Sequence, residues 1–116
     1  MEGEIKQLVT LDDYQDKAIN TRMYPQDMAI PYCALGLTGE AGEVAEKVKK
    51  IIRDKGGVLT DEDRADLKLE LGDVLWYLTD FADQIGFSLR EVAQANYEKL
   101  ESRKARGKIS GSGDNR

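Results

Sequence analysis

Apolar residues recur at intervals of three and four along most of this chain, and the alternation typical of strands is absent. The pattern predicts four amphipathic helices. We expect them over residues 11–22, from between 27 and 31 to about 53, over 60–86, and from 88 to about 104. Polar capping residues open the first, third and fourth, and glycines or a proline follow the first three. The sequence therefore predicts an all-α, four-helix bundle-like fold.

The second and third helices resemble each other when they are overlaid at an offset of thirty residues. Glu40-Ala-Gly-Glu43 then aligns with Glu70-Leu-Gly-Asp73, and the flanking aliphatic positions also match. Because both pairs hold equivalent helical positions, an antiparallel hairpin through Gly56 would place them face to face. The two acidic helices are thus predicted to form an internal pseudo-repeat with four carboxylates around one small space.

These acids do not show the pattern usual for solvated acids on a helix surface, although that remains the ordinary fate of such residues. A surface glutamate is often followed four positions later by a basic residue, but Glu40, Glu70 and Asp73 are followed by valine or tyrosine. Only Glu43, four before Lys47, has that pairing. Part-buried carboxylates gathered together repel one another unless a cation offsets their charge. The sequence therefore favours a site for Mg²⁺ or Mn²⁺, which prefer oxygen ligands.

Four glycines lie within the predicted acidic helices, at positions 36, 39, 42 and 72. Each costs about 1 kcal/mol relative to alanine in a helix. Close helix packing and room for a ligand beside the metal are both compatible with this pattern.

Length and composition limit the function classes further. The 116 residues suit one domain, which we place at residues 1–106, followed by a flexible Gly/Ser-rich tail at 107–116.

The absence of histidine excludes Ser-His-Asp hydrolysis and His-ligated metals. A net charge of −5 argues against binding to duplex nucleic acid. The lone Cys33 is expected in the core. With no apolar run of membrane length and no secretory signal pattern, we expect a cytoplasmic protein that binds no membrane.

The spacing of the acids, Glu40-x-x-Glu43 followed after 26 residues by Glu70-x-x-Asp73, resembles that of the MazG-like nucleoside triphosphate pyrophosphohydrolases. The resemblance runs from Tyr14 to Arg103. It implies a MazG fold related to the dimeric dUTPases, and Mg²⁺-dependent hydrolysis of a nucleoside triphosphate to the monophosphate and pyrophosphate. Deoxynucleotides or non-standard nucleotides would be the substrates, in a house-cleaning role.

The resemblance also implies roles for individual residues. The four acids would be the metal ligands and catalytic residues. Substrate would be bound by basic and polar residues of the fourth helix and by weaker candidates on the acidic helices: Asn96, Lys99, Arg103, Lys47, Lys50 and Trp76. Lys47 and Lys50 can instead pair with Glu43 and Glu46. Tyr14, Gln15 and Tyr77 are further candidates for contact with a base, although aromatic residues at helical spacing are more often core or interface.

Two alternatives stay open from the sequence. One is a non-catalytic helical module that binds metal or nucleotide, and the other is the same fold acting on another substrate, such as phosphoribosyl-ATP or dUTP. Leu69 and Trp76 lie off the main aliphatic arc of the third helix, which predicts a second apolar interface and hence a homodimer or homotetramer.

Overall fold

The computed structural model describes residue 5 and residues 7–116, so residues 1–4 and 6 of the expected domain lie outside the described part. Four helices follow one another: α1 (Leu11–Ala18), α2 (Ala29–Lys55), α3 (Asp61–Gln84) and α4 (Leu89–Ala105). Two 3-10 turns, Ile19–Thr21 and Gln26–Met28, connect α1 to α2. The described residues contain no strand. The all-α prediction is confirmed.

Capping boxes start three of the helices where the sequence places them. In each box a hydroxyl accepts from the backbone N–H three residues later, and the acid there accepts from the cap N–H. The pairs are Thr10 with Asp13, Thr60 with Asp63, and Ser88 with Glu91. Pro31 lies in the first turn of α2, where its missing N–H costs nothing.

Helix α1 ends earlier than predicted, at Ala18 rather than near residue 22. Asn20 donates from its side chain to the carbonyl of Asp16 at 3.0 Å, and the Thr21 hydroxyl donates to the carbonyl of Ala18 at 2.7 Å. Such side-chain bonds compete with the regular helical ladder. The last turn consequently tightens into a 3-10 turn.

Helices α2 and α3 form an antiparallel hairpin, the most extensive helix–helix contact of the fold, while α1 and α4 pack against α3. Gly56 and Gly57 make the turn with φ of +61° and +81°, a left-handed conformation that favours glycine. Cys33 is completely buried, as predicted, and burial raises the pKa of its thiol. This hairpin carries both acidic pairs.

A buried carboxylate fixes the connection between α1 and α2 onto the hairpin. Asp80 of α3 is completely buried and accepts hydrogen bonds from Arg22 and Tyr24. The Cys33 thiol lies 3.4 Å from the same carboxylate. Burial would lower the pKa of Arg22, but hydrogen bonds to Asp83 and Asp80 raise it instead. The arginine therefore neutralises Asp80 and holds the neighbouring Thr21 beside α3.

Gln15 has a structural role in the fold, and the base contact considered from the sequence stays a prediction. It is buried, and its amide nitrogen donates to the Asp83 carboxylate at 3.2 Å and to the Phe87 carbonyl at 3.3 Å. Its oxygen accepts from the backbone N–H of Leu89 at 2.7 Å. Gln15 thereby joins α1 to the α3–α4 turn.

The chain is extended for its size. Its accessible area is 8853 Å² and its radius of gyration 17.3 Å. A compact protein of this mass exposes about 6,300 Å² and has a radius of about 13 Å. None of the helices in the described part combines the length and apolar character needed to cross a membrane.

Residues 107–116 fold back along the end of α4. Gly107, with φ of +68°, reverses the chain, and the N–H of Lys108 donates to the Arg103 carbonyl at 2.6 Å. The Arg116 guanidinium donates to three carbonyls of the same segment, at Lys108, Ile109 and Gly113. The expected flexibility of this tail stays a prediction.

Candidate metal and nucleotide site

Three acids of the hairpin converge on one small space. Glu40 of α2 meets Glu70 and Asp73 of α3, and each offers a carboxylate oxygen so that all three lie within 4.8 Å of one another. Residues 70 and 73 share a helix face because they are one turn apart, and the hairpin brings Glu40 opposite them. Three oxygen donors at this separation fit a hard divalent cation.

The electrostatics of the cluster are unfavourable without a cation. Removal from water raises the pKa of Glu40, and the charges of Asp73, Glu70 and Glu43 raise it further. Burial raises the pKa of Tyr14 as well, with the Asp73 charge as a second cause. The mutual repulsion of the acids at Glu40 would be relieved by a positive charge in this space.

Glu43 is not among the three converging acids, so the structure brings together three of the four predicted carboxylates. It is exposed, one helical turn after Glu40, and close enough for its charge to raise the Glu40 pKa. Its expected pairing with Lys47 is absent from the described residues. Lys47 instead lies 3.5 Å from Glu70 across the hairpin. The sequence rule of four-residue spacing missed this pair because it depends on how two helices pack.

The sequence predicts that the two acids of the third helix are part-buried, because apolar residues flank them. Glu70 is half-buried as expected, whereas Asp73 is exposed. The expectation is wrong for Asp73 because the flanking Leu69 is itself 69% exposed. On α2, Glu40 is half-buried and Glu43 is exposed. The acid cluster therefore opens to solvent along one flank of the hairpin.

A cavity of about 300 Å³ adjoins the acids, lined by Thr21, Glu40, Asp73, Trp76 and Tyr77. The Trp76 indole N–H donates to the Thr21 hydroxyl at 2.8 Å, and the rings of Trp76 and Tyr77 meet edge to face at 4.9 Å. Thr21 and Trp76 also line a larger cavity of about 800 Å³ that reaches α1 and Tyr14. An aromatic wall thus lies next to the carboxylates. Sequence reasoning missed Thr21, since only the folded α1–α2 connection brings it there.

The four helix glycines have different surroundings. A Cβ at Gly36 would lie 2.1 Å from the Tyr77 ring, so close packing explains this glycine. At Gly39, Gly42 and Gly72 a Cβ would meet nothing within 4 Å. Close packing within the described part of the chain therefore does not explain these three glycines.

The basic residues of α4 lie away from the acids in this structure. Asn96 and Lys99 line a separate cavity of about 520 Å³ with Phe87 and Glu91. Arg103 is buried against the tail segment. Lys50 pairs with Glu46 at 3.7 Å, the ordinary pairing considered from the sequence. One chain therefore holds the carboxylates and the α4 cations as two separate groups.

The family model of the MazG nucleotide pyrophosphohydrolase domain matches residues 32–107, about two thirds of the chain. The chain belongs to the MazG family. It is also similar to the "Gene 37 protein" of Mycobacterium phage L5, with 52% identity over 112 residues, covering 91% of this chain and 98% of the relative. No solved structure matches the chain.

The matched MazG region contains the whole acid cluster, Trp76 and the basic residues of α4, but not Tyr14 and Gln15, which the sequence also suggested for contact with a base. Helix α1 and Thr21 lie before it. The polar contacts of Arg22 and Gln15 attach this segment, which lies outside the family match, to the end of α3 and to the α3–α4 turn.

Proposed function

We propose that this MazG-family chain hydrolyses nucleoside triphosphates to the monophosphate and pyrophosphate, using Mg²⁺ held by Glu40, Glu70 and Asp73. The observation that carries the proposal is the convergence of these three carboxylates within 4.8 Å beside an aromatic cavity. The donor set fits the metal, since it offers only oxygen ligands and one acid with a raised pKa. Mn²⁺ is a possible substitute.

In this proposal, the residues around the acid cluster bind the metal and the phosphates through their charges. A bound Mg²⁺ supplies Lewis acidity toward phosphate oxygens and toward water. Glu40, Glu70 and Asp73 hold the charge that attracts the cation, and Glu43 adds negative charge one turn away. Lys47 reaches the edge of the cluster through Glu70 and offers a positive charge to a nearby phosphate.

The nucleoside would lie against the aromatic wall. Trp76 presents a ring face whose orientation is fixed by the hydrogen bond to Thr21, and the 800 Å³ cavity beside it has room for a base and sugar. We propose deoxynucleotides or non-standard nucleotides as the substrate class, and removal of such compounds from the cytoplasmic pool as the role.

Asn96, Lys99 and Arg103 would contact the phosphate chain, with Lys50 as a weaker candidate. Their spacing of three and four places them along one face of α4. Because Asn96 and Lys99 line a different cavity from the acids, we propose that a homodimer or homotetramer is the working form. The exposed apolar flank around Leu69 supports association of chains.

A nucleotide panel tests the activity directly. The protein is incubated with ribo- and deoxyribonucleoside triphosphates, dUTP and phosphoribosyl-ATP, with Mg²⁺ or Mn²⁺, and pyrophosphate release is measured. We expect release from at least one deoxynucleotide or non-standard nucleotide. Nucleotide binding without turnover anywhere in the panel would favour the non-catalytic alternative and contradict the proposal.

Substitution of the acids tests the site. We expect Asp73→Asn and Glu70→Gln to lower kcat by more than about 100-fold, because each removes a charged metal ligand. Glu43→Gln should lower it less, since Glu43 lies outside the converging group. The matched control is Glu62→Gln, an exposed acid in the first turn of α3. Equal activity of Asp73→Asn and this control would show that the site assignment is wrong.

A further inference from the structure

The tail segment places a carboxylate on two basic side chains of α4. Lys99 Nζ lies 3.1 Å from Oδ1 of Asp114, and Nη2 of Arg103 lies 3.3 Å from the same oxygen. The Arg103 nitrogen also donates to the backbone carbonyls of Asp114 at 2.8 Å and Gly113 at 3.4 Å. Two cations thus converge on one anionic oxygen, an arrangement that equally suits an oxygen of a phosphate.

Arg103 is an unusual partner for an exposed tail. The residue is only 5% exposed, and its Nε is buried with no hydrogen-bond partner in the described part of the chain. A buried guanidinium is costly unless acceptors compensate it. The only carboxylate that reaches it among the described residues is that of Asp114, whose side chain is 82% exposed. The buried positive charge of Arg103 is therefore compensated by the carboxylate of an exposed residue, Asp114.

Helix α4 itself provides no acid for these cations. Residues three and four positions apart are the usual pairing positions on a helix, and none of those around Lys99 and Arg103 is acidic: Ala95, Asn96, Leu100, Ser102, Arg106 and Gly107, together with the two cations themselves. In the described part of the chain the ion pairs of both cations go to Asp114, and none goes to Glu98 or Glu101 of α4. Lys99 and Arg103 repel each other as like charges four residues apart. The pair consequently needs an anion from outside the helix.

The segment that supplies this anion is a poor permanent partner. Gly107, Gly111 and Gly113 all have positive φ, and two serines lie between them. Ordering a glycine- and serine-rich segment costs more conformational entropy than ordering most sequences. A ligand with a higher charge than one carboxylate would therefore displace it readily.

We propose that Lys99 and Arg103 form a phosphate-binding site that the chain's own Asp114 occupies, and that a phosphate group must displace Asp114 to bind there. The inference rests on the proposed function, which supplies the phosphate group as substrate or as pyrophosphate. Hydrogen bonds from Lys99 and then Arg103 hold the pKa of Asp114 below its usual value, so it competes as a full anion at neutral pH. The tail then acts as an internal competitor that weakens retention of the product.

Binding of inorganic pyrophosphate to the full chain tests this without turnover. Calorimetric titrations in EDTA keep metal off the acid cluster. We expect Asp114→Asn to bind pyrophosphate about threefold to tenfold more tightly than the parent, the range for an exposed charged contact. Asp114→Glu, which keeps the charge, should retain the parent affinity. The double variant Lys99→Gln/Asp114→Asn should lose the gain.

The matched control is Asp27→Asn, which removes the same charge from an exposed position. Equal affinity of Asp114→Asn and the parent, or an equal gain in the control, overturns the proposal, provided that circular dichroism shows unchanged helicity. Tighter pyrophosphate binding by Asp114→Asn supports it even if no triphosphate is hydrolysed. Hydrolysis with unchanged pyrophosphate affinity leaves the proposed function standing and rejects the internal competitor.

Discussion

Asp63 shows at the scale of one residue how a side chain joins two helices. It caps α3 through Thr60, and it accepts a 2.8 Å hydrogen bond from Lys55 at the end of α2. The Lys55 ammonium, followed by the Thr60 N–H, lowers the pKa of Asp63 to about 2. The carboxylate therefore stabilises the native state in its ionised form.

The pH dependence follows from that direction. An aspartate in an unfolded chain titrates near pH 3.9, so the contribution of Asp63 is complete above about pH 4 and is lost as the pH falls toward 2. We expect Asp63→Asn to lower the melting temperature at pH 7, with the difference from the parent shrinking between about pH 4 and 2. Thermal melts followed by circular dichroism measure it. Glu62→Gln, in the same turn but exposed and without an ion pair in the described part of the chain, is the control; an equal loss there would contradict the role of burial and pairing.

Single residues also show which part of the site the sequence could predict. The acids were found because spacing on a helix and an internal repeat are local properties, and the hairpin then places Glu40 against Glu70 and Asp73. The pairing of Lys47 with Glu70, and the presence of Thr21 at the site, could not be predicted because these contacts join different elements. The general reason is that two residues in contact across a helix interface have no fixed separation in the sequence, so no spacing pattern predicts their contact.

At the scale of the elements, two glycines of α2 provide a matched pair. A Cβ at Gly36 would meet the Tyr77 ring at 2.1 Å, and that ring is held by Trp76 and Tyr32, whereas a Cβ at Gly39 would meet nothing within 4 Å. Both glycines otherwise carry the same helical penalty.

We expect opposite effects from alanine at these positions. Gly36→Ala should destabilise the fold by about 1–3 kcal/mol through overpacking, and Gly39→Ala should stabilise it by up to about 1 kcal/mol through helix propensity. Urea denaturation of both variants measures the difference. If the two changes shifted the midpoint in the same direction, the close approach of α2 to Tyr77 would be in doubt.

Helix boundaries could be predicted where the sequence contains a capping box, but less well where it contains none. The starts of α1, α3 and α4 follow from their capping boxes. The end of α1 did not follow, because Asn20 and Thr21 replace helical hydrogen bonds with side-chain bonds. Local polar competition of this kind is decided by small energy differences that a pattern of apolar residues does not contain.

At the scale of the whole molecule, the exposed surface is consistent with the proposed association of chains. The accessible area of 8853 Å² exceeds the value for a compact monomer by about 2,500 Å², an excess that covers the roughly 1,000–2,500 Å² that one partner buries in an obligate interface. Leu35 and Leu69 on the two acidic helices are 74% and 69% exposed. The hairpin therefore has apolar flanks that a single chain leaves uncovered.

We expect the protein to be a dimer or tetramer at micromolar concentration, and Leu69→Glu to shift it toward monomer by placing a charge in the interface. Size-exclusion chromatography with light scattering gives the mass. Gln94→Glu, which adds a charge to an exposed position of α4, should leave the mass unchanged. A parent protein that elutes as a stable monomer would rule out the interface.

The position of Trp76 makes its fluorescence useful for measuring ligand binding. It is the single tryptophan of the chain, and it lines the cavity beside Glu40 and Asp73 with its indole N–H on Thr21. Fluorescence excited at the long-wavelength edge of the tryptophan absorption band, where tyrosine no longer absorbs, comes from Trp76 alone and therefore reports on this cavity. Arrival of a metal or a stacked base would alter its intensity or wavelength, so the native chain carries its own optical probe for equilibrium titrations and stopped-flow kinetics.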